Sequence, residues 1–131
     1  MLLIDSDVLI AHLRGDERAT VWLAEARRIH GQLAMSALSV AEITGGMRSG
    51  ERSSVWRLFA RMRTEPVTDL VARRAGELAR RYRRSHSGIG LADYLIAATV
   101  DLRGYELGTL NVRHYPMLPN LEPAFALGPE S

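Results

Sequence analysis

The sequence predicts an α/β fold, with a mostly parallel central sheet flanked by helices on both faces. Short runs of strand length alternate along the chain with segments whose apolar residues recur at helical spacing. Strands separated by helices favour parallel pairing, because each parallel connection must cross back over a face of the sheet. The 131 residues contain no internal repeat and no linker, so they correspond to a single domain.

Two strands and three helices are predicted in the first half of the chain. Residues 1–4 are continuously apolar, as in a buried strand, and a short helical pattern follows to about residue 14. Asp16 is a favourable N-cap for a longer second helix. The apolar positions of that helix are Val21, Trp22, Ala26 and Ile29. Residues 32–35 form the next candidate strand, and a helix is expected over residues 39–48.

The second half repeats this alternation. Apolar residues between positions 55 and 62 recur at helical spacing until Pro66 ends the helix, and residues 65–68 fit a third strand. The remaining predicted elements are helices at 69–84 and 91–102, a strand at 106–110 and an irregular tail from about 119 to 131.

Composition excludes several classes of protein. A hydrophobic content of 47% with 24% charged residues is typical of a globular domain, and disorder is not expected. The absence of cysteine rules out disulfides and thiolate metal sites. The first ten residues contain two acids and no basic lead segment, unlike a signal peptide, and no apolar run approaches the ~20 residues that span a bilayer. We therefore expect a cytoplasmic protein.

Four stretches bring an acid, an amide or a hydroxyl to one edge of the predicted sheet. Asp5 follows the first strand, and Glu42 is expected in the first turn of the helix after the second strand. Asp93 lies in the first turn of the 91–102 helix, and Thr109 and Asn111 end the last strand. Function gathers at the carboxyl ends of the strands in open parallel sheets. Clustered carboxylates resist desolvation unless a cation compensates them, and oxygen ligands without cysteine favour Mg²⁺ or Mn²⁺.

Each of these acids also has a purely structural explanation. Asp5 and Asp7 are of a residue type favoured as a helix cap. Ser39 and Glu42 match a capping box, in which the Glu reaches back to the start of its own helix. A helix N-terminus would stabilise the charge of Asp93, but its helix is so apolar that a metal explains the acid better. The four histidines share no ligand spacing, so a histidine-based zinc site is not expected.

The chain resembles the PIN-domain ribonucleases, and more narrowly the VapC-type toxins of bacterial toxin–antitoxin pairs. The resemblance rests on LLIDSDVLI, MSALSVAEITGGM, GLADYLIAATV and LGTLNVRHYPML, which occur in the family's order and at its spacing. It implies a three-layer PIN-like fold over residues 1–131 and a Mg²⁺-dependent endoribonuclease in which Mn²⁺ can substitute. It also implies a homodimer silenced by an antitoxin protein. The family's catalytic and metal-binding acids fall on Asp5, Glu42 and Asp93.

The chain departs from the family pattern near the last strand. Many relatives carry a fourth acid there, whereas this sequence has Asn111 and, three residues on, His114. The number of bound metal ions, one or two, therefore stays open. The residues expected to orient the ligating carboxylates through hydrogen bonds are Ser6, Asp7, Thr109 and Asn111.

Two features suggest where macromolecules would bind. The segment RRAGELARRYRR contains six arginines in twelve residues, and guanidinium groups suit RNA phosphates, although a solvated helix face explains them equally well. The candidate substrate-binding residues are Arg80, Arg81, Arg84 and His114. Trp56 and Phe59 belong either to the core or to a groove for an antitoxin helix.

Two other function classes share part of this pattern. A receiver-like domain also has acids at strand ends, but its chemistry uses a lysine, and all 17 basic residues here are arginine. A PIN fold that kept RNA binding and lost catalysis is the remaining alternative. Binding of Mg²⁺ or Mn²⁺ distinguishes this RNA-binding module from the nuclease, because a degenerate module would bind either ion poorly.

Overall fold

Four short parallel strands form the centre of the protein in the computed structural model, which describes residues 1–126. They are β1 (Leu2–Ile4), β2 (Ala34–Ser36), β3 (Arg63–Glu65) and β4 (Glu106–Gly108). Their order in the sheet is β3-β2-β1-β4, and every neighbouring pair is parallel. The first strand is therefore central, and the chain crosses over the sheet between strands.

Six α-helices lie between the strands within the described part of the chain, and one 3₁₀ turn follows β4. They are α1 (Ser6–Leu13), α2 (Glu17–His30), α3 (Ala37–Gly46), α4 (Arg52–Ala60), α5 (Asp69–Tyr82), α6 (Leu91–Arg103) and the 3₁₀ turn Val112–His114. No helix among these residues is both long and apolar enough to cross a membrane.

The helices cover both faces of the sheet. Leu2 and Ile4 of β1 join a core cluster with buried residues of α1, α2, α3 and α4, whereas Leu3 joins a second cluster with α5 and α6. Successive residues of a strand point to opposite faces, so a continuously apolar β1 indicates a strand buried on both sides. This three-layer arrangement confirms the predicted fold class.

Register brings the end of β1 beside the end of β4. Ile4 pairs with Gly108, and the backbone N–H of Asp5 donates to the Gly108 carbonyl at 2.8 Å. A Cβ at position 108 would lie 2.5 Å from the Trp22 ring, so glycine permits this close packing of α2 on β4. Asp5 and Thr109 consequently follow paired strand ends at the carboxyl edge of the sheet.

Two predicted boundaries were wrong because local patterns offered competing signals. The helix expected at 39–48 begins at Ala37, since Ser36 rather than Ser39 is its N-cap and accepts from Leu38 N–H at 3.1 Å. The third strand lies at Arg63–Glu65, not at 65–68. It ends before Pro66, which has no N–H to donate to the strand ladder.

Smaller differences occur at other element ends. The second strand begins at Ala34 instead of 32, α5 ends at Tyr82 instead of 84, and β4 ends at Gly108 instead of 110. Residues 119–126 contain no helix or strand, as expected for the tail. The rest of the predicted tail, residues 127–131, lies outside the described residues.

Candidate active site at the carboxyl edge of the sheet

Asp5 is a buried carboxylate held by three donors, two of them from a distant part of the chain. It is 6% exposed and forms the N-cap of α1, where its Oδ1 accepts from Ser6 N–H at 2.9 Å. Its Oδ2 accepts from the Thr109 hydroxyl at 2.9 Å and from the Tyr115 hydroxyl at 2.8 Å. The donors fix the orientation of this carboxylate without neutralising its charge.

Asp7 ties the start of α1 to the loop after β4. Its Oδ1 accepts from Val8 N–H at 2.7 Å, and its Oδ2 accepts from the backbone N–H groups of Leu110 and Asn111 at 2.9 and 3.2 Å. The Thr109 hydroxyl lies 3.2 Å from the same oxygen. One hydroxyl proton is thus shared between Asp5 and Asp7.

Asp93 reaches the same edge from the first turn of α6, as predicted. Its Oδ2 accepts from Gly90 N–H at 3.0 Å, and its side chain is 20% exposed. The Tyr115 hydroxyl lies 3.4 Å from Asp93 Oδ1, and His114 Nδ1 lies 3.2 Å from Oδ2. A single phenol therefore connects the carboxylates of Asp5 and Asp93.

Tyr115 is a site residue that the sequence pattern does not indicate. It is 1% exposed, yet it lies in the loop just after the 3₁₀ turn and belongs to no periodic element. The available signal is weak: a phenol shortly after the last strand, next to a histidine, in the segment LNVRHY. Its hydroxyl donates into the acidic cluster and becomes part of the site.

The electrostatics of the cluster favour a cation. Burial raises the pKa of Asp5 and the charge of Asp93 raises it further, while hydrogen bonds from Tyr115 and Thr109 partly oppose this. Burial and the charge of Asp5 raise the pKa of Asp7. Burial and the charge of Asp5 also raise the pKa of Tyr115, so the phenol stays protonated and donates. Within residues 1–126, no arginine forms an ion pair with these three carboxylates.

Glu42 and Ser6 are placed differently from the other predicted residues. Glu42 lies in the second turn of α3, not the first, because that helix starts at Ala37. It is exposed and makes no hydrogen bond or ion pair among the described residues, so it forms no capping box with Ser39. Ser6 donates its backbone N–H, rather than its hydroxyl, to Asp5. Asn111 likewise donates its backbone N–H, to Asp7.

The predicted ligands are not preassembled into a metal-binding group. In the described part of the chain, no three His, Asp or Glu side chains lie together at metal-binding spacing. Asp5 and Asp93 meet at Tyr115, whereas Glu42 borders a small cavity with Arg14 and Glu51.

Three of the four candidate substrate-binding residues line two surface depressions, and Arg81 is exposed outside both. Arg80, Arg83 and Arg84 line a cavity of about 340 Å³ at the end of α5. His114 lines another, of about 260 Å³, together with Asn111 and other residues of the loop after β4. Trp56 is 42% exposed and packs against the half-buried Phe59, with ring centres 5.6 Å apart. Trp56 is therefore not a core residue, whereas Phe59 packs against the core.

Comparison with known proteins identifies the family. The PIN-domain family profile matches residues 2–115, which include β1, α6 and β4. Ribonuclease VapC10 of Mycobacterium tuberculosis is 58% identical over 127 residues, covering 97% of this chain and 95% of that protein. The chain belongs to the PIN-domain family, in its VapC branch. The predicted resemblance is confirmed.

Two further comparisons agree with this PIN-domain assignment. Ribonuclease VapC19 of Mycobacterium tuberculosis is 43% identical over 125 residues, covering 95% of this chain and all of that protein. A toxin–antitoxin complex from Klebsiella pneumoniae contains a chain with the same fold, at a TM-score of 0.78 and 21% identity. That similarity covers 95% of this chain and 98% of the other.

PIN-domain nucleases of the VapC type generally depend on a divalent metal. The ligand atoms at the carboxyl edge of the sheet are of the type that such an ion binds. They are hard carboxylate oxygens, they are wholly or partly buried, and no arginine compensates their charge. Buried carboxylates of this kind are stabilised when a cation binds between them.

Proposed function

We propose that this protein is a Mg²⁺-dependent endoribonuclease that acts as the toxin of a toxin–antitoxin pair, with Mn²⁺ able to substitute. The observation that carries the proposal is the cluster of Asp5, Asp7 and Asp93, which has no arginine partner at the carboxyl edge of the sheet. The 58% identity to a protein named as a ribonuclease supports the same activity. The reaction is hydrolysis of phosphodiester bonds in RNA, which leaves a 5′-phosphate and a 3′-hydroxyl.

Asp5 and Asp93 would hold the metal directly, and Glu42 would act through water or as the base. A bound divalent ion supplies a nucleophile by acidifying water and neutralises the charge that develops on the phosphoryl group. Glu42 is exposed and unpaired among residues 1–126, so its flexible side chain is free to change rotamer. One ion is proposed; a second would have to use Asp7 or water in place of a fourth acid.

The surrounding residues hold these ligands in place. Thr109 and Tyr115 donate to Asp5 Oδ2, and Asp7 anchors the loop that carries both of them through the N–H groups of Leu110 and Asn111. Donors of this kind orient a ligating carboxylate, and their loss typically costs about 10- to 100-fold in metal affinity or activity.

RNA would approach along the arginines of α5 and the loop after β4. Arg80, Arg81 and Arg84 would contact phosphates without reading sequence, and His114 would hold the phosphate near Asp93. The proposal includes an antitoxin protein as partner, a homodimer as the assembly and the cytoplasm as the place of action. The exposed Trp56 and the neighbouring Phe59 offer an apolar surface for the antitoxin.

The experiment is cleavage of total tRNA and rRNA by purified, antitoxin-free protein in Mg²⁺, Mn²⁺ or EDTA. Asp93→Asn is compared with Asp101→Asn, a matched control on the same helix whose carboxylate pairs with Arg74 at 2.8 Å. We expect discrete fragments from wild type and Asp101→Asn in either metal, and none from Asp93→Asn or in EDTA. Equal behaviour of wild type and Asp93→Asn under all conditions would contradict catalysis here and favour the RNA-binding module.

A further inference from the structure

A cavity between α1, α2 and α4 gathers positive charge without any acid. Its volume is about 480 Å³, and its polar lining consists of His12, Thr20, Arg27, Ser54, Arg57 and Arg61. No Asp or Glu among residues 1–126 lines it. None of the described residues that line this arginine cavity belongs to the acidic cluster.

Arg27 is the most unusual residue of the arginine cavity. Its Nε is buried and has no hydrogen-bond partner in the described part of the chain. Burial and the charge of Arg61 both lower the pKa of Arg27, which indicates that two like charges are held near each other. A buried N–H without an acceptor costs free energy that a bound oxyanion would recover.

Some arginines on the helical surface have a carboxylate partner. Arg28 pairs with Glu25, Arg73 with Asp69 and Arg74 with Asp101. In contrast, Arg27, Arg57 and Arg61 form no ion pair among residues 1–126. Arginines elsewhere, such as those at the end of α5, also lack an ion pair, but within residues 1–126 Arg27 is the one arginine whose buried side-chain N–H has no hydrogen-bond partner.

We propose that the arginine cavity binds the phosphate of a nucleotide unit, either a free nucleotide or part of an RNA chain. Guanidinium groups bind phosphate through paired N–H donors. Three of them offer more N–H donors than the two oxygens of one carboxylate can accept, and a phosphate supplies more oxygens and charge. The hydroxyls of Thr20 and Ser54 also line the cavity, and its volume falls within the roughly 300–1,000 Å³ of small-molecule sites. The site is independent of the proposed metal centre, so it does not rest on the proposed function.

The test follows the ¹⁵N–¹H signal of Arg27 Nε by NMR in EDTA, where metal-dependent cleavage is stopped. The probes are adenosine 5′-monophosphate, a 5′-phosphorylated RNA pentamer, inorganic phosphate and a hexaglutamate peptide. We expect the nucleotide or the pentamer to shift this signal, and comparison of the two shows whether the site takes a free nucleotide or a chain. Tighter binding of the peptide would overturn the proposal in favour of an acidic protein partner, and so would the absence of any shift.

Substitutions at the arginine cavity provide a second measurement. Arg27→Gln and Arg61→Gln should each weaken binding of the effective probe by about tenfold or more, because each removes charge-assisted hydrogen bonds. Arg28→Gln, next to Arg27 but paired with Glu25, is the matched control and should bind as wild type does. Arg61 is exposed, so its variant keeps the test valid if Arg27→Gln does not fold. Equal affinities in all three variants would refute the site.

Discussion

Asp5 and Glu65 are two buried carboxylates with opposite electrostatic surroundings. Glu65 is 2% exposed and is compensated by Arg63 at 2.9 Å and Arg103 at 3.2 Å, with a further hydrogen bond from Tyr105 at 2.6 Å. Asp5 is 6% exposed and receives only neutral donors. The fold thus has arginines available to neutralise a buried acid and does not use them at the carboxyl edge.

In this arginine-rich protein, structural and functional charges differ in whether the fold itself supplies the counter-charge. At Glu65 the counter-charge is built in, so the residue joins β3 to the end of α6 and needs no ligand. Asp5 and Asp7 have no ion-pair partner among residues 1–126 and Asp93 has only His114 beside it, so the proposed counter-charge is a cation from outside. In the arginine cavity the groups without a counter-charge are cations, so the missing partner there is an anion.

Asp5 and Glu65 should differ most in what their substitution does to RNA cleavage. Asp5→Asn should lower RNA cleavage by about 100-fold or more, because it removes a proposed metal ligand and not merely a supporting contact. Glu65→Gln should cleave as wild type does, per mole of folded protein. Cleavage rates of fluorescent RNA in Mg²⁺ measure both, and a larger loss in Glu65→Gln than in Asp5→Asn would reverse the assignment.

A smaller loss is expected when the phenol between Asp5 and Asp93 is removed. Tyr115→Phe keeps the buried ring but deletes the hydroxyl that donates to Asp5 at 2.8 Å. Metal affinity should fall by about tenfold. Because the ring stays packed, the quantity to measure is the Mn²⁺ concentration that cleavage requires, which should rise. Unchanged metal dependence would show that Tyr115 serves packing alone. Tyr105→Phe, which loses the hydroxyl bonded to Glu65, is the matched control and should leave metal dependence unchanged.

Glu65→Gln should lower the stability of the protein, although it leaves RNA cleavage unchanged. Glu65→Gln leaves Arg63 and Arg103 without a carboxylate, and we expect the free energy of unfolding to fall by about 1–3 kcal/mol. Both arginines are nearly half exposed, so water limits the loss. Urea unfolding in EDTA measures the change. A neutral effect would mean that the pairing of Glu65 contributes nothing, and the contrast with Asp5 would disappear.

The smallest predicted effect is the pH dependence of the metal-free protein. In the folded state the pKa values of Asp5 and Asp7 are raised above the ordinary 3.8, so their buried charges destabilise the native state at neutral pH. As pH falls through the folded pKa values, the native state binds protons that the unfolded chain does not yet bind, and the penalty is relieved. Below 3.8 both states are protonated.

Asp5→Asn measures how much the buried charge of Asp5 destabilises the metal-free protein. It should raise the melting temperature at pH 7 in EDTA by roughly 3–5 °C, which corresponds to about 1 kcal/mol for a domain of this size. The advantage over wild type should shrink as pH approaches 4, and added Mg²⁺ should stabilise wild type but not the variant. A variant less stable than wild type at pH 7 without metal would contradict an uncompensated Asp5.

The sequence pattern was sufficient for the fold class and for the positions of Asp5 and Asp93. Both acids follow from local signals: one ends an apolar strand, and the other stands in the first turn of an apolar helix. Glu42 was placed one turn too early because Ser36 and Ser39 are equally plausible caps in sequence, and only tertiary structure selects Ser36.

Other features depend on contacts between distant parts of the chain. Tyr115 meets Asp5 across 110 positions, and Glu65 meets Tyr105 across 40. Periodicity within a segment carries no information about such pairs. The arginine cavity is similar, since its lining comes from three helices and Arg27 looks in sequence like any other residue on the basic end of α2.

The acidic cluster is tested as a metal site most directly by Mn²⁺ binding in isothermal titration calorimetry at pH 7, without RNA. Wild type and Asp101→Asn should bind Mn²⁺ alike, because Asp101 already has Arg74 as its partner. Asp93→Asn should bind at least about tenfold more weakly, since it removes one of the carboxylates proposed to hold the metal. If wild type binds no Mn²⁺, or if Asp93→Asn binds it as tightly as wild type does, the acidic cluster is not a metal site.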